Sequence, residues 1–261
     1  EHTGKYRFMQ LFEALVAQYA DRVITITTAM REELAERGVP IEKVTIAYNS
    51  VDPERFLPRP INDGLARRLG LPENVPVIGY IGSFVDYEGL DDLIIAAAEL
   101  RSQGYEFRLL LVGDGAVYEA LESLVSEFGL QSHVVMTGRV PHDEVEDYYS
   151  LIDIAPFPRK PWEVCELVSP LKPFEAMALQ KAVIVSSTRA LTEIVQDGHN
   201  GLIYEKGNCT ALTQVLATLI ADPDRRKLLG DNARNWIRRE RSWDVAGQAV
   251  AETYGKIIQV I

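Results

Sequence analysis

Cysteine is almost missing from this sequence: Cys165 and Cys209 are the only two in 261 residues, far apart and outside any CxxC pattern. That excludes a disulfide framework and a cysteine-ligated zinc site, and it fits a reducing, cytoplasmic setting with peripheral membrane attachment left open. Histidine is as scarce, with four residues at 2, 133, 142 and 199, too scattered to form a ligand cluster, so no metal is expected. Positive charge is also short. The 27 Lys and Arg against 38 Asp and Glu leave a net charge of -11, which argues against wholesale nucleic-acid binding, because phosphate backbones are held by basic surfaces. No apolar run approaches the ~20 residues that a membrane-spanning helix needs. A Walker-type GxxxxGK[ST] is absent and GYIGSF lacks the GxGxxG spacing, so neither of those phosphate-binding signatures applies. Asn208, Cys209 and Thr210 spell a glycosylation sequon with no secretory signal, an accidental match. The chain begins at Glu1 without a methionine and reads as a fragment or a processed product.

What is present suits a globular chain: 47% hydrophobic and 25% charged residues. The length exceeds one α/β domain and falls short of two, so one complete domain plus a remnant is expected. From Arg7 to Tyr19 the apolar residues Phe8, Leu11, Phe12, Leu15, Val16 and Tyr19 fall on one helix face. That face is expected to pack on a core; a membrane-surface helix has only the thin basic flank of Lys5 and Arg7 in its favour. VITIT (23–27) and VTIAYN (44–49) read as strands around a helix, and the prolines at 53, 58, 60 and 72 mark residues 51–75 as a linker.

Beyond it VIGYIG, LLLVG, VVMTG, IAPF, AVIVSS and GLIYE alternate with helical stretches. Continuous apolar runs belong to strands covered on both faces, so the expectation is α/β, a Rossmann-like parallel sheet with helices on both faces. From Thr210 the pattern is wholly helical. The arginines at 225, 226, 234, 238, 239 and 241 are read as a solvated face, since acidic residues are interspersed and no aromatic stacking platform accompanies them.

In an open parallel sheet, ligands bind outside the carboxyl ends of the strands. The loops there carry Gly82 and Ser83, then Gly113-Asp114-Gly115, then Arg139 and Val140, then the long stretch from Pro158 to Lys172. Glycines allow close backbone approach and helix N-termini offer free N–H groups to an anion, although such turns also use glycine for steric reasons alone. A nucleotide is the economical ligand.

Residues 167–187, LVSPLKPFEAMALQKAVIVSS, are more pointed. Pro170 and Pro173 suit the first turn of a helix. Lys172 then sits at the positive end of the dipole, where a cation has no electrostatic reason to be. An anion there would gain ~0.3–1 kcal/mol from the dipole and ~1.5–3 kcal/mol from a charged hydrogen bond. Glu175, three residues on, shares the helix face, and a carboxylate accepts from two adjacent hydroxyls, so the pair matches a diphosphate beside a ribose. The alternative is a surface ion pair worth ~0.2–0.5 kcal/mol.

Gly82 after its strand, LLLVGDG, VVMTGRV, the proline-rich run into KPFEAMALQKAVIVSS, EIVQDGHNGLIYE and a final RSW together resemble the C-terminal domain of retaining glycosyltransferases of family four, in a branch with SPLKPFEAMA. ADRVITIT and IEKVTIAYNSVD resemble the end of that family's N-terminal domain, so the likeness covers essentially the whole chain. It implies one half of a GT-B fold: the end portion of an N-terminal Rossmann-like domain in 1–50, the linker 51–75, a nucleotide-sugar-binding domain in 76–241 and a C-terminal helix in 242–261. It implies hexosyl transfer from a nucleotide-diphosphate sugar to a saccharide, lipid-linked saccharide or small-molecule acceptor, with retention and no obligatory cofactor. Most of the acceptor site would lie in the largely missing N-terminal domain, making this chain an incomplete catalyst. A non-catalytic nucleotide-sugar-binding subunit with a separate partner chain, and a same-fold epimerase, are the alternatives.

By position, Glu175 resembles the second glutamate of the family's EX7E motif, which holds the ribose. Its eighth predecessor is Leu167, with Glu166 beside it as the stand-in for the first glutamate. Ser83 and Glu88 occupy the places of the family's diphosphate-binding arginine and lysine, so Lys172, with Arg159 or Lys160, is the implied replacement charge. Gly82, Ser83, Arg139, Val140, Arg159, Ser169, Pro170, Leu171, Lys172 and Glu175 are thereby the expected donor-binding residues, with Glu166 and Lys172 in catalytic roles.

Overall fold

The computed structural model describes residues 4–258. Two parallel sheets organise the chain. The small one pairs β1 (Val23–Thr25) with β2 (Val44–Ile46). The large one holds β3 (Val77–Ile81), β4 (Arg108–Val112), β5 (Val134–Met136), β6 (Ile154–Phe157), β7 (Ala182–Ser186) and β8 (Leu202–Tyr204), in spatial order β5-β4-β3-β6-β7-β8. Every residue of β3, β6 and β7 is buried, as expected where helices cover both faces of a parallel sheet. The register pairs Ile78 with Leu109 on one side and with Ile154 on the other. The chain therefore walks from β3 outward to β5, returns to β6 and walks the other way. Between β3 and β6 lies the switch point, outside whose carboxyl ends a crevice forms.

Residues 51–75 are anchored at several points. Phe56, Leu65 and Leu71 enter the main core, Asn62 caps the helix Asp63–Arg68 through its side chain, and the Val51 amide donates to the Arg241 carbonyl at 3.0 Å. The Arg241 guanidinium lies between the rings of Tyr48 and Trp236, at 4.1 and 4.7 Å from their centroids. The final helix, Trp243–Ile258, returns to the small sheet, where Thr253 donates to Thr45.

One expectation fails here and a second holds only in part. The helix Gly4–Tyr19 forms, but its apolar face is not packed: Phe8 is 65% and Tyr19 88% exposed, and of its residues only Ala14 and Ala17 are buried. A two-stranded sheet whose core is Ala17, Leu34, Val39 and Val44 is too narrow to cover a 16-residue helix. On the arginine-rich helix Pro223–Glu240 the expected solvated face holds for Arg225, Arg238 and Arg239, which are exposed, but not for Arg226 and Arg234. Arg226 donates to the Leu219 and Ile220 carbonyls, and Arg234 to those of Phe56 and Ala178. Buried carbonyls without strand or helix partners need donors, and long guanidinium side chains reach them.

Candidate functional site

The crevice at the switch point is shaped by glycine. After β3 the chain turns at Gly82, where an added Cβ would lie 2.3 Å from Lys172 Cε. After β4 it turns at Gly113, with φ at 142°, where a Cβ would lie 1.8 Å from the Gly82 carbonyl oxygen. No other residue lets these loops and the lysine stem come so close. The result is a cleft of about 760 Å3 lined by Gly82, Ser83, Asp114, Arg139, Val140 and His142, among others. An adjoining recess of about 160 Å3 shares Gly82 and His142 with it and adds Arg55, Lys172 and Glu175.

Lys172 opens the helix Lys172–Ala178. Pro173 follows in the first turn, where its missing N–H has no intrahelical partner to lose, and Pro170 precedes the helix. Arg234 caps the far end at the Ala178 carbonyl. The Lys172 ammonium donates to Glu88 Oε1 at 2.8 Å and to the Tyr80 hydroxyl at 2.7 Å. Tyr80 in turn donates to the Ser83 carbonyl at 3.2 Å. Lysine has three N–H groups, so one remains for the recess that it lines. Burial draws the Lys172 pKa below the ordinary lysine value, while Glu88 opposes the fall.

Glu175 shares the recess, and its carboxylate makes no side-chain hydrogen bond or ion pair among the described residues. The i,i+3 pair with Lys172 is thus not formed, because Lys172 turns to Glu88 instead. Burial raises the Glu175 pKa, opposed by His142, Lys172 and Arg55. A folded-state value above the unfolded one means that stability is lost as pH rises through it. Glu175→Gln is therefore expected to melt higher than the parent protein at pH 7 when ligand-free, the gap closing as pH falls below the ordinary carboxylate range. Melting curves at pH 4 and 7 check this; equal midpoints at both would refute it.

The other expected site residues divide. Gly82, Ser83, Arg139 and Val140 line the cleft, and Lys172 and Glu175 the recess. Arg159 does not line either: it is 4% exposed, donates to the Val168 carbonyl at 2.8 Å and reaches to 3.7 Å from Glu88 Oε1. Lys160 points to Asp91 and Asp92, both at 2.8 Å. The replacement charge expected from one of these two is absent from the cleft walls, because Arg159 turns inward to Glu88 and the Val168 carbonyl and Lys160 turns to Asp91 and Asp92. Glu166 does not line the cleft or the recess; it accepts from Lys206 at 2.5 Å and from the Arg189 amide at 2.9 Å. Ser169, Pro170 and Leu171 form the lead-in to the helix outside both cavities, and the Ser169 carbonyl accepts from Asn49.

Tyr80, and the pairing of Glu88 with Lys172, are what sequence reasoning missed. Glu88 is 3% exposed and its second oxygen has no hydrogen-bond partner among the described residues. The only signal it gave was its charge, opposite to the one the resemblance called for. Among the described residues no group of three or more His, Cys, Asp or Glu is arranged to hold a metal, and no helix is long and apolar enough to cross a membrane.

The sequence matches the family described as Glycosyl transferases group 1 over residues 63–236, and that described as Glycosyltransferase Family 4 over residues 1–55. It is 29% identical over 238 residues to a GDP-mannose-dependent alpha-(1-6)-phosphatidylinositol monomannoside mannosyltransferase from Mycolicibacterium smegmatis, covering 89% of this chain and 62% of that protein. The chain thus spans less than two thirds of that relative's length. Its fold superposes on a sucrose-phosphate synthase from Thermosynechococcus elongatus, with a TM-score of 0.80 and 24% identity over 98% of this chain and 63% of that one. HepE of Anabaena, solved in complex with UDP-glucose, gives 0.83 and 22% over 98% and 70%. Both superpositions take in nearly the whole chain, and the six-stranded parallel sheet here is of the GT-B type. With two thirds of its length matched to one family description and its crevice at the switch point of the sheet, the chain belongs to the group 1 glycosyl transferases.

Proposed function

We propose that this chain is mainly the donor-binding part of a glycosyltransferase that moves a hexose from a nucleoside-diphosphate sugar to an acceptor with retention. The observation that carries the reading is the recess, where one N–H of Lys172 and the unpartnered carboxylate of Glu175 face the same small space under Gly82. The ammonium is suited to the charge that develops on a leaving diphosphate, an electrostatic role. The carboxylate is suited to two ribose hydroxyls. Arg139 and Val140, on the third loop, line the cleft beyond, where a base would extend. In this reading residues 1–50 belong to the domain that carries most of the acceptor site, and 51–75 cross over to the donor domain of 76–241. The SPLKPFEAMA stretch resembles a branch of the family with a lysine at this position, and in this reading Lys172 supplies charge to the diphosphate.

One relative is named for GDP-mannose and one neighbour was solved with UDP-glucose, so the base is the first thing to measure. Titration of the protein with UDP, GDP and ADP by calorimetry should single out one of them, and that diphosphate at ~100 times its dissociation constant should add ~2.7 kcal/mol of stability. Absence of binding by all three would refute the assignment.

A further inference from the structure

Glu88 poses a physical problem: a carboxylate has been placed beside a site suited to an anion. It stands at the end of a 3-10 turn, Asp86–Glu88, between two glycines of the loop after β3, and it is 3% exposed. Burying a carboxylate is costly unless it is paired, and here two cations share it, Lys172 at 2.8 Å and Arg159 at 3.7 Å. Two positive charges around one negative leave a net positive charge. Arg159 has no face on the cleft, so Lys172 is the cation of this group that reaches the recess. The geometry assigns to Glu88 the role of a positioning residue, which rests on the donor-site reading above: it fixes the Lys172 ammonium against the Tyr80 hydroxyl so that its remaining N–H meets a diphosphate at Gly82.

A lysine stem is long and flexible, and an ammonium alone offers a phosphate no fixed direction. Two acceptors at 2.7 and 2.8 Å, one on β3 and one on the following loop, remove that freedom before any ligand arrives. The Tyr80 hydroxyl donates on to the Ser83 carbonyl, which ties the lysine to the loop after β3. Glu88 also maintains the charge. Lys172 faces Glu88 and Glu175, which favour its protonation, and Arg159 and burial, which oppose it. Arg55, His142 and Glu146 line the same recess beyond them. Without Glu88 the balance tips towards the neutral amine.

The test turns on sign. A carboxylate that merely sits near an anion site repels the anion, so its neutralisation would tighten binding; a positioning carboxylate predicts the reverse. Affinities for UDP, GDP and ADP are measured by calorimetry from pH 6.5 to 9.5, together with the parent nucleosides, and the tightest diphosphate is taken forward. For Glu88→Gln the expected result is about tenfold weaker diphosphate binding at pH 7, with nucleoside affinity unchanged. Affinity requires the charged lysine, so it falls as pH rises through the Lys172 pKa, and that alkaline limb should move to lower pH in the variant, which has lost the carboxylate that opposes the fall. Tyr80→Phe, which alters no charge, should weaken the diphosphate in the same direction by less. Unchanged or tighter diphosphate binding by Glu88→Gln would overturn the inference. If Glu88→Gln does not fold by circular dichroism, Tyr80→Phe decides, and unchanged affinity there overturns it. Lys172→Met run in parallel separates the two levels. Weakening by Lys172→Met without weakening by Glu88→Gln removes only the role of Glu88, whereas no effect of Lys172→Met, or no binding by the parent protein, removes the donor-site reading and the inference with it.

Discussion

Lys172→Met is expected to weaken nucleoside diphosphate binding about 10- to 150-fold while leaving nucleoside binding within about twofold. The range follows from one charged hydrogen bond at ~1.5–3 kcal/mol, with ~1.4 kcal/mol per factor of ten. Methionine keeps most of the stem that fills the space over Gly82, where the lysine Cε would lie 2.3 Å from an added Cβ, so lost packing contributes little. The variant also leaves Glu88 with Arg159 at 3.7 Å as its remaining cation, turning the local balance from net positive to neutral. Salt dependence offers a second check: the slope of log affinity against log salt concentration should be shallower for the variant, because a charge has been removed from the contact. Equal affinity in both proteins would mean that the ammonium is only the counter-ion of Glu88, and the lysine would lose its place in the site.

The parts of this site that sequence could reach are those set by local periodicity. A helix beginning near Pro173 puts residues 172 and 175 on one face whatever surrounds it, and a cation at the positive end of a dipole is an anomaly visible without coordinates. The strands were equally legible. Runs such as VIGYI and AVIVS lack the alternation of a half-solvated sheet, and all of their residues are buried between helical layers. What local pattern cannot carry is pairing across the fold. Lys172 meets Tyr80 and Glu88 across 92 and 84 residues, and no spacing rule connects them. Arg159 and Lys160 are adjacent and alike in sequence, yet one turns inward to Glu88 and the other outward to Asp91 and Asp92. The N-terminal helix teaches the same lesson from the apolar side. Its periodicity reported a hydrophobic face correctly, but whether anything covers that face depends on the width of the small sheet beneath it.

The inward turn of Arg159 carries the other large effect. Arg159→Met is expected to destabilise the protein by ~3–5 kcal/mol, the range for removing one partner of a buried ion pair, which corresponds to roughly 10 °C in the melting midpoint for a domain of this size. The guanidinium is 4% exposed, donates to the Val168 carbonyl at 2.8 Å and lies 5.4 Å from the centroid of the Tyr87 ring. Removing it leaves a carboxylate whose second oxygen already has no hydrogen-bond partner among the described residues and whose other cation is the half-buried Lys172. The loss should therefore come mainly from Glu88, and the double variant Arg159→Met with Glu88→Gln should recover a good part of it. A double-mutant cycle by urea denaturation measures this directly, and a coupling of at least ~1 kcal/mol is expected for groups in contact. An arginine that instead reached the donor would behave in the opposite way, with diphosphate affinity falling and the melting midpoint hardly moving. A shift of less than two degrees in the single variant, with affinity lost, would move Arg159 out of the buried pair and back to the cleft.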